Sequence, residues 1–311
     1  MSIGSGRTVR KIETYRMNAK LLSQLSVAIG TATQRPFELR RMTPVGGGSI
    51  NESSRIEGAD GTTYFLKLND PRHHAMFTAE AAGLAAIAAT DTLHVPRVIA
   101  HGVVDGRSFV VLEHLQLSAH GDARLLGERL AALHRCPAGR YGFDQDNFIG
   151  TTPQPNGWKE DWIAFWRERR LGFQLRLAAD KGYGGELQRT GERLLDALPA
   201  FFAGYTPQPS LLHGDLWVGN HAFLADGTPV IFDPAVYYGD RECDLAMTEL
   251  FGGYPTEFYS AYRAAWPLDA GYASRRDLYN LYHILNHANL FGGGYARQAE
   301  KMMRGLLSGI D

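Results

Sequence analysis

Three oxygen-bearing side chains, Asp215, Asn220 and Asp233, could together hold a hard divalent cation and move a proton. They belong to His213-Gly214-Asp215-Leu216-Trp217-Val218-Gly219-Asn220 and to Asp233-Pro234, at the two ends of a short apolar island. Asp226-Gly227, between them, is a favoured two-residue hairpin turn. If Ala225 faces Thr228 across that turn, counting outward sets Asn220 opposite Asp233. An amide and a carboxylate then meet at the open end of the hairpin, beside the loop that carries Asp215. Such oxygens suit Mg²⁺, which keeps waters and substrate phosphates as its other ligands. Asp215 could then take the proton of an attacking hydroxyl. The competing reading makes Asp215 and Asn220 turn caps and Asp233 the cap of the next helix. Convergence of three such groups favours the cation.

A second constellation lies nearer the N-terminus. In Tyr64-Phe65-Leu66-Lys67-Leu68, alternation sends Tyr64, Leu66 and Leu68 to one face and Phe65 and Lys67 to the other. A lone strand lysine is normally solvated. Glu80 alters that expectation, because Ala79, Ala81, Ala82 and Leu84 surround it with small or apolar side chains and leave it in need of a cation. A Lys67–Glu80 pair would hold the ammonium toward nucleotide phosphates. Gly46, Gly47 and Gly48, followed by Ser49, either let backbone N–H groups approach phosphates or form an ordinary hairpin turn.

The elements that must position these groups change character along the chain. Residues 1–18 are polar and aperiodic and read as a loose arm. Leu21, Leu22, Leu25, Ala28 and Ile29 recur at helical spacing. Strands are expected at 38–45, 53–56, 63–68 and 109–112, with one Ala-rich helix at 75–89. Helices are expected after Glu113, at 125–133, 162–179, 187–198, 245–251, 256–266 and 274–287, interrupted by the strand-rich island 211–232. The expected organisation is a small β-rich lobe at 1–115 and a larger helical lobe at 116–311, with a hinge near Glu113 to Leu117 and a cleft between them.

Composition removes several classes of function. Lys plus Arg number 32 and Asp plus Glu 33, so the net charge of -1 lacks the basic excess of a dedicated nucleic-acid binder. No window approaches about 18 consecutive apolar residues, so no membrane span is expected. Two cysteines, Cys136 and Cys243, are too few for a disulfide framework or a cysteine-rich zinc site, which fits a reducing cytoplasm. The patterns G-x-x-x-x-G-K-[ST], G-x-S-x-G and H-E-x-x-H are absent. Trp158, Trp162, Phe165 and Trp166 read as core packing in preference to a binding box.

With these residues set out, the chain resembles the fructosamine kinase family, within the wider protein-kinase-like and aminoglycoside-phosphotransferase-like group. The resemblance runs from about Leu21 to Gly305. Its most specific pieces are Leu212 to Asn220 and Asp233-Pro234-Ala235; Tyr141-Gly142-Phe143, Asp146 to Gly150, Thr152-Pro153-Gln154 and Trp158 to Arg170 are also similar. His213-Gly214-Asp215 alone indicates the wider group, and the Leu216-Trp217 that follows narrows it to the family.

The resemblance implies an α+β, bilobal, protein-kinase-like fold with ATP and Mg²⁺ in the cleft. It implies Asp215 as catalytic base, Asn220 and Asp233 as Mg²⁺ ligands, and Lys67 with Glu80 as the phosphate-orienting pair. Gly46 to Ser49 would cover the nucleotide, while Glu113, His114 and Leu115 would meet adenine at the interlobe hinge. Ser49 stands where many eukaryotic members have cysteine, which puts thiol-based redox control at that loop in doubt. The implied reaction is ATP-dependent phosphorylation of a ketosamine, free or protein-bound, which makes the adduct labile and serves deglycation. For the acceptor pocket the candidates are Trp217, through its ring face, and His287 and Asn289, which otherwise only end a helix. Two alternatives stand beside this reading. One is a kinase of another hydroxyl acceptor, such as an aminoglycoside, choline or another sugar; the other is a non-catalytic binding protein on the same scaffold.

Overall fold

The alternation in Tyr64–Leu68 is realised in a two-faced antiparallel sheet. A computed structural model describes residues 18–46 and 50–310. The expected arm at 1–17, and Gly47, Gly48 and Ser49 of the glycine loop, lie outside the described residues. The sheet comprises β1 (Leu39–Pro44), β2 (Glu52–Gly58), β3 (Thr63–Asn69), β4 (Val98–Val104) and β5 (Arg107–Glu113), in the order β1-β2-β3-β5-β4. Leu66 and Leu68 join Ile56, Phe109 and Val111 on one face and bury Leu25 and Ile29 of α1 (Ala19–Thr33). Phe65, Val110 and Leu112 cover the other face against Phe77, Leu84 and Ile87 of α2 (His74–Ala88). Lys67 emerges on that second face, so the strand period aims it at the helix carrying Glu80.

Strand β4 was not expected. It pairs with β5 through a tight turn in which Asp105 (φ 46°) and Gly106 (φ 71°) both take left-handed backbone. That is the backbone twist two-residue hairpins favour.

The rest of the chain is mainly helical: α3 (Ala123–His134), α4 (Trp162–Phe165), α5 (Gly172–Asp180), α6 (Glu186–Phe201), α7 (Glu242–Leu250), α8 (Thr256–Ala265), α9 (Tyr272–Phe291) and α10 (Tyr295–Ser308). Three-residue strands interrupt it, paired antiparallel two by two: β6 (Asn147–Ile149) with β7 (Thr152–Gln154), β9 (His221–Phe223) with β10 (Pro229–Ile231), and β8 (Ser210–Leu212) with β11 (Tyr237–Gly239). A π-helical turn at Trp166–Leu171 divides the expected single helix 162–179. Trp162 and Trp166 are buried against Tyr279 and Tyr282 of α9 and Phe165 stacks on Tyr237, the packing role expected of that series, whereas Trp158 is only half-buried, against Tyr238. Among the described residues, no helix is long and apolar enough to cross a membrane.

Candidate active site

Pairing of β8 with β11 lays the start of the Asp215 loop beside the segment that follows Asp233. The Ala235 N–H donates to the His213 carbonyl at 2.8 Å. Gly214 has φ +82°, and a Cβ on it would lie 2.1 Å from the Ala235 carbonyl oxygen, so only glycine fits this crossing. His213 is neutral here by geometry. Its Nδ1 accepts from the Asp215 N–H at 3.2 Å while Nε2 donates to the Phe232 carbonyl at 2.9 Å, and burial lowers its pKa.

Asp244, on α7, is a site residue that the sequence reading missed. The backbone N–H groups of His213 and Gly214 donate to its carboxylate at 2.7 and 2.8 Å, and His134 Nε2 lies 3.1 Å away. Burial alone would raise its pKa, but the hydrogen bond from His134, the two imidazoles beside it and the Gly214 N–H outweigh it and hold the group below its ordinary value. The neighbouring Asp215 goes the other way. Burial first, then the Asp233 and Asp244 carboxylates, push it up to about 7.

The β9–β10 hairpin corrects the expected register. Phe223 pairs with Pro229 and His221 with Ile231, so the loop is Ala225-Asp226-Gly227, one residue longer than the two-residue turn predicted. Asp226 Oδ1 accepts from the Thr228 N–H at 2.9 Å and Gly227 takes φ +85°, which favours the three-residue form. Asn220 therefore faces Phe232, whose N–H donates to the Asn220 carbonyl at 3.1 Å, and not Asp233. Asn220 and Asp233 nevertheless line one cleft with Asp215. Asn220 Nδ2 donates to the Asp215 carbonyl at 2.8 Å, leaving Oδ1 as the free acceptor of that amide among the described residues. Asp233 has φ +58° and a half-exposed carboxylate. This all-oxygen donor set fits Mg²⁺.

Across the cleft, Lys67 Nζ lies 2.6 Å from Glu80 Oε1, as expected, and 2.5 Å from Asp233 Oδ1, which was not expected. Burial alone would lower the Lys67 pKa; the two carboxylates more than offset it and hold the ammonium above its ordinary range. The cleft encloses about 720 Å³, with Gly46 at its rim and Glu113, His114 and Leu115 along one wall. Glu113 is fastened to the strand entrance, its N–H donating to the Arg97 carbonyl at 2.8 Å and its Oε2 accepting from the Arg97 N–H at 3.3 Å.

Two of the three acceptor candidates form one row. Trp217, 37% exposed, lines the cleft and meets Phe251 edge-on at 6.3 Å; Phe251 lies 4.9 Å from the His287 ring. Phe251 is the missed link. His287 Nδ1 is bonded to the His283 carbonyl of its own helix at 2.8 Å. Asn289 is not in this group: it is buried, and its Nδ2 donates to the Gln174 carbonyl and Oε1 at 3.0 and 2.7 Å. It sits on the inward face of α9, which continues to Phe291, so its amide serves helix packing and not the cleft.

A buried carboxyl pushed up to about 7, an oxygen donor set that fits Mg²⁺ and a buried lysine–carboxylate pair could serve phosphoryl transfer, since that reaction depends on positioning and charge neutralisation. Comparisons with known proteins agree. The chain is 47% identical over 280 residues to a "probable ketoamine kinase" of Synechocystis, covering 89% of this chain and 93% of the relative. It is 42% identical over 276 residues to the chloroplastic protein-ribulosamine 3-kinase of Arabidopsis thaliana, covering 87% and 82%. The crystal structure of a "putative fructosamine-3-kinase" from Haemophilus somnus superposes with a TM-score of 0.84 at 31% identity, over 93% of this chain and 98% of that one. An aminoglycoside 2'-phosphotransferase in complex with GDP, 14% identical with a TM-score of 0.53, shares the fold. The family model for fructosamine kinase matches residues 21–309, which include every residue lining the cleft, and the chain accordingly belongs to the fructosamine kinase family and is an ATP-dependent kinase.

Proposed function

We propose that this kinase phosphorylates a sugar hydroxyl of ketosamines, free or attached to a protein amine, as a step in deglycation. One observation carries the reading: Asp215 lines the same cleft as the Lys67–Glu80–Asp233 cluster and Trp217. A carboxylate placed there can accept a hydroxyl proton. Lys67, fixed by Glu80, would orient the nucleotide phosphates, with Gly46 to Ser49 closing over them. Glu113, His114 and Leu115 would meet the adenine. Asn220 Oδ1 and Asp233 would hold Mg²⁺, which when bound neutralises phosphate charge. Trp217 would pack on the sugar or its cationic amine, with His287 behind it through Phe251. In this scheme residues 1–115 form the nucleotide lobe and 116–311 the catalytic and acceptor lobe. A cytoplasmic setting is supported by the two free cysteines.

The test is a panel of acceptors incubated with ATP and Mg²⁺: ribulosyl and fructosyl amines, free and protein-bound, beside an aminoglycoside and choline. Phosphorylated products are identified by mass spectrometry. Ketosamines should turn over far faster than the rest. Comparable turnover of the aminoglycoside or choline would defeat the substrate assignment.

A further inference from the structure

The β6–β7 hairpin belongs to a stretch that also resembles the family, yet none of the roles above uses it. Its two amide side chains are buried, Asn147 at 4% and Gln154 at 1% exposure. Both reach the segment that follows Asp233. Gln154 Nε2 donates to the Ala235 carbonyl at 3.0 Å and to Asn147 Oδ1 at 2.8 Å; Asn147 Nδ2 donates to the Val236 carbonyl at 2.7 Å. Gln154 Oε1 accepts from the Tyr282 hydroxyl of α9 at 2.7 Å. Both protons of the Gln154 amide and its oxygen are thus used. The carbonyls accept only, so neither amide can be turned over without setting oxygen against oxygen.

What this network holds is a strained place. Asp233 takes φ +58°, a left-handed conformation that costs a non-glycine residue energy and persists only where its surroundings enforce it. Two residues on, the Ala235 peptide is gripped on both sides: its N–H donates to His213, and its carbonyl lies against Gly214 and accepts from Gln154. Outer partners that orient a ligand loop commonly govern metal affinity as much as the ligands do.

We propose that Gln154, oriented by Tyr282 and assisted by Asn147, is a positioning residue for phosphoryl transfer. It fixes the Asp233–Val236 segment so that the Asp233 carboxylate is presented to Mg²⁺, and it links that segment to the acceptor-side helix α9. This rests on the assignment of Asp233 as a cation ligand.

The experiment compares wild type, Gln154→Met, Tyr282→Phe and Asp233→Asn. Gln154→Met keeps length and volume while removing both donors; Tyr282→Phe removes one hydroxyl only. Binding of a non-hydrolysable ATP analogue is measured by calorimetry at graded Mg²⁺ and without it, together with kcat and the acceptor KM. Gln154→Met should weaken the apparent Mg²⁺ affinity by about 10–100-fold. Tyr282→Phe should shift it the same way by less, and metal-free nucleotide binding and the acceptor KM should stay near wild type. Hydrogen exchange at the Ala235 amide should quicken in both. A folded Gln154→Met protein with wild-type Mg²⁺ dependence overturns the proposal. So does a Tyr282→Phe protein with no shift, should Gln154→Met fail to fold. If Asp233→Asn shifts the Mg²⁺ dependence in either case, the ligand assignment survives and only the positioning role falls. If Asp233→Asn also leaves it unchanged, the ligand assignment itself is wrong.

Discussion

Asp244→Asn should loosen the catalytic loop more than its distance from any substrate would indicate. Three donors end on this carboxylate, the N–H groups of His213 and Gly214 and the Nε2 of His134, at 2.7, 2.8 and 3.1 Å, and the side chain is 1% exposed. A hydrogen bond to a charged group contributes about 1.5–3 kcal/mol, and a buried donor left without a partner costs about 1–3 kcal/mol. The amide keeps one acceptor oxygen, so part of the set survives, while its NH₂ turns against another donor. The net loss should be about 3 kcal/mol. The pH dependence gives an independent check. Because the folded carboxyl lies below its ordinary value of 3.8, its contribution is complete above that pH and disappears as pH falls through the folded value. The stability gap between wild type and mutant, from urea midpoints, should be constant from neutrality to mild acid and close below about pH 4. At a temperature where the mutant is folded, kcat should fall on the order of 10²-fold, the cost of a small misplacement of the reacting groups. A mutant within about 0.5 kcal/mol of wild type, like an ordinary surface substitution, and with unchanged kcat would refute the reasoning.

Asp215→Ala should lower kcat by about 10²–10⁴-fold with nucleotide affinity and folding nearly intact; near-wild-type rates in a folded mutant would assign the base elsewhere. Glu80→Gln should slow turnover by misplacing Lys67, and the double mutant with Lys67→Met should lose less than the sum of the two singles. Additive losses would mean that the 2.6 Å pair does not act as a unit. Trp217→Ala should raise the ketosamine KM more than the ATP KM in steady-state kinetics; an effect confined to ATP would put the ring on the wrong ligand.

How much of this was legible depended on the length scale of the signal. Lys67 and Glu80 could be paired in advance because β3 is long enough to show its period of two, and because one carboxylate stands out on an alanine-rich helix. Strands β6 to β11 are three residues each, too short for alternation to be read, so β11 and the β6–β7 hairpin went unseen. Helix α10 did carry a signal, with Ala299, Met303, Leu306 and Leu307 on one buried face, and was overlooked. Strand β4 was harder. Its central Ala-His-Gly is weakly apolar, and most of its residues are only half-buried. Asp244 was hidden for another reason. An acidic residue in the first turn of a helix reads as an ordinary complement to the helix dipole, and its backbone partners lie about thirty positions upstream, where no spacing rule reaches.

The hairpin between Asn220 and Asp233 shows how a correct convergence can rest on a wrong count. A one-residue slip exchanges the faces of every residue in a ladder. Asn220 and Asp233 escape that exchange because neither is in the ladder. Asn220 closes a short 3-10 turn at Val218–Asn220, and Asp233 has left extended backbone at φ +58°. Their approach is set where the segment is closed at its base: Asn220 Nδ2 on the Asp215 carbonyl, the Phe232 N–H on the Asn220 carbonyl, and the Ala235 N–H on the His213 carbonyl. Asp226 and Gly227 shape only the tip. Peptide bonds at the base therefore hold the candidate cation ligands together, and Asp244 and Gln154 grip that same base from α7 and from the β6–β7 hairpin. The geometry of this site is therefore shared between the motif's own backbone and two residues outside it, Asp244 and Gln154.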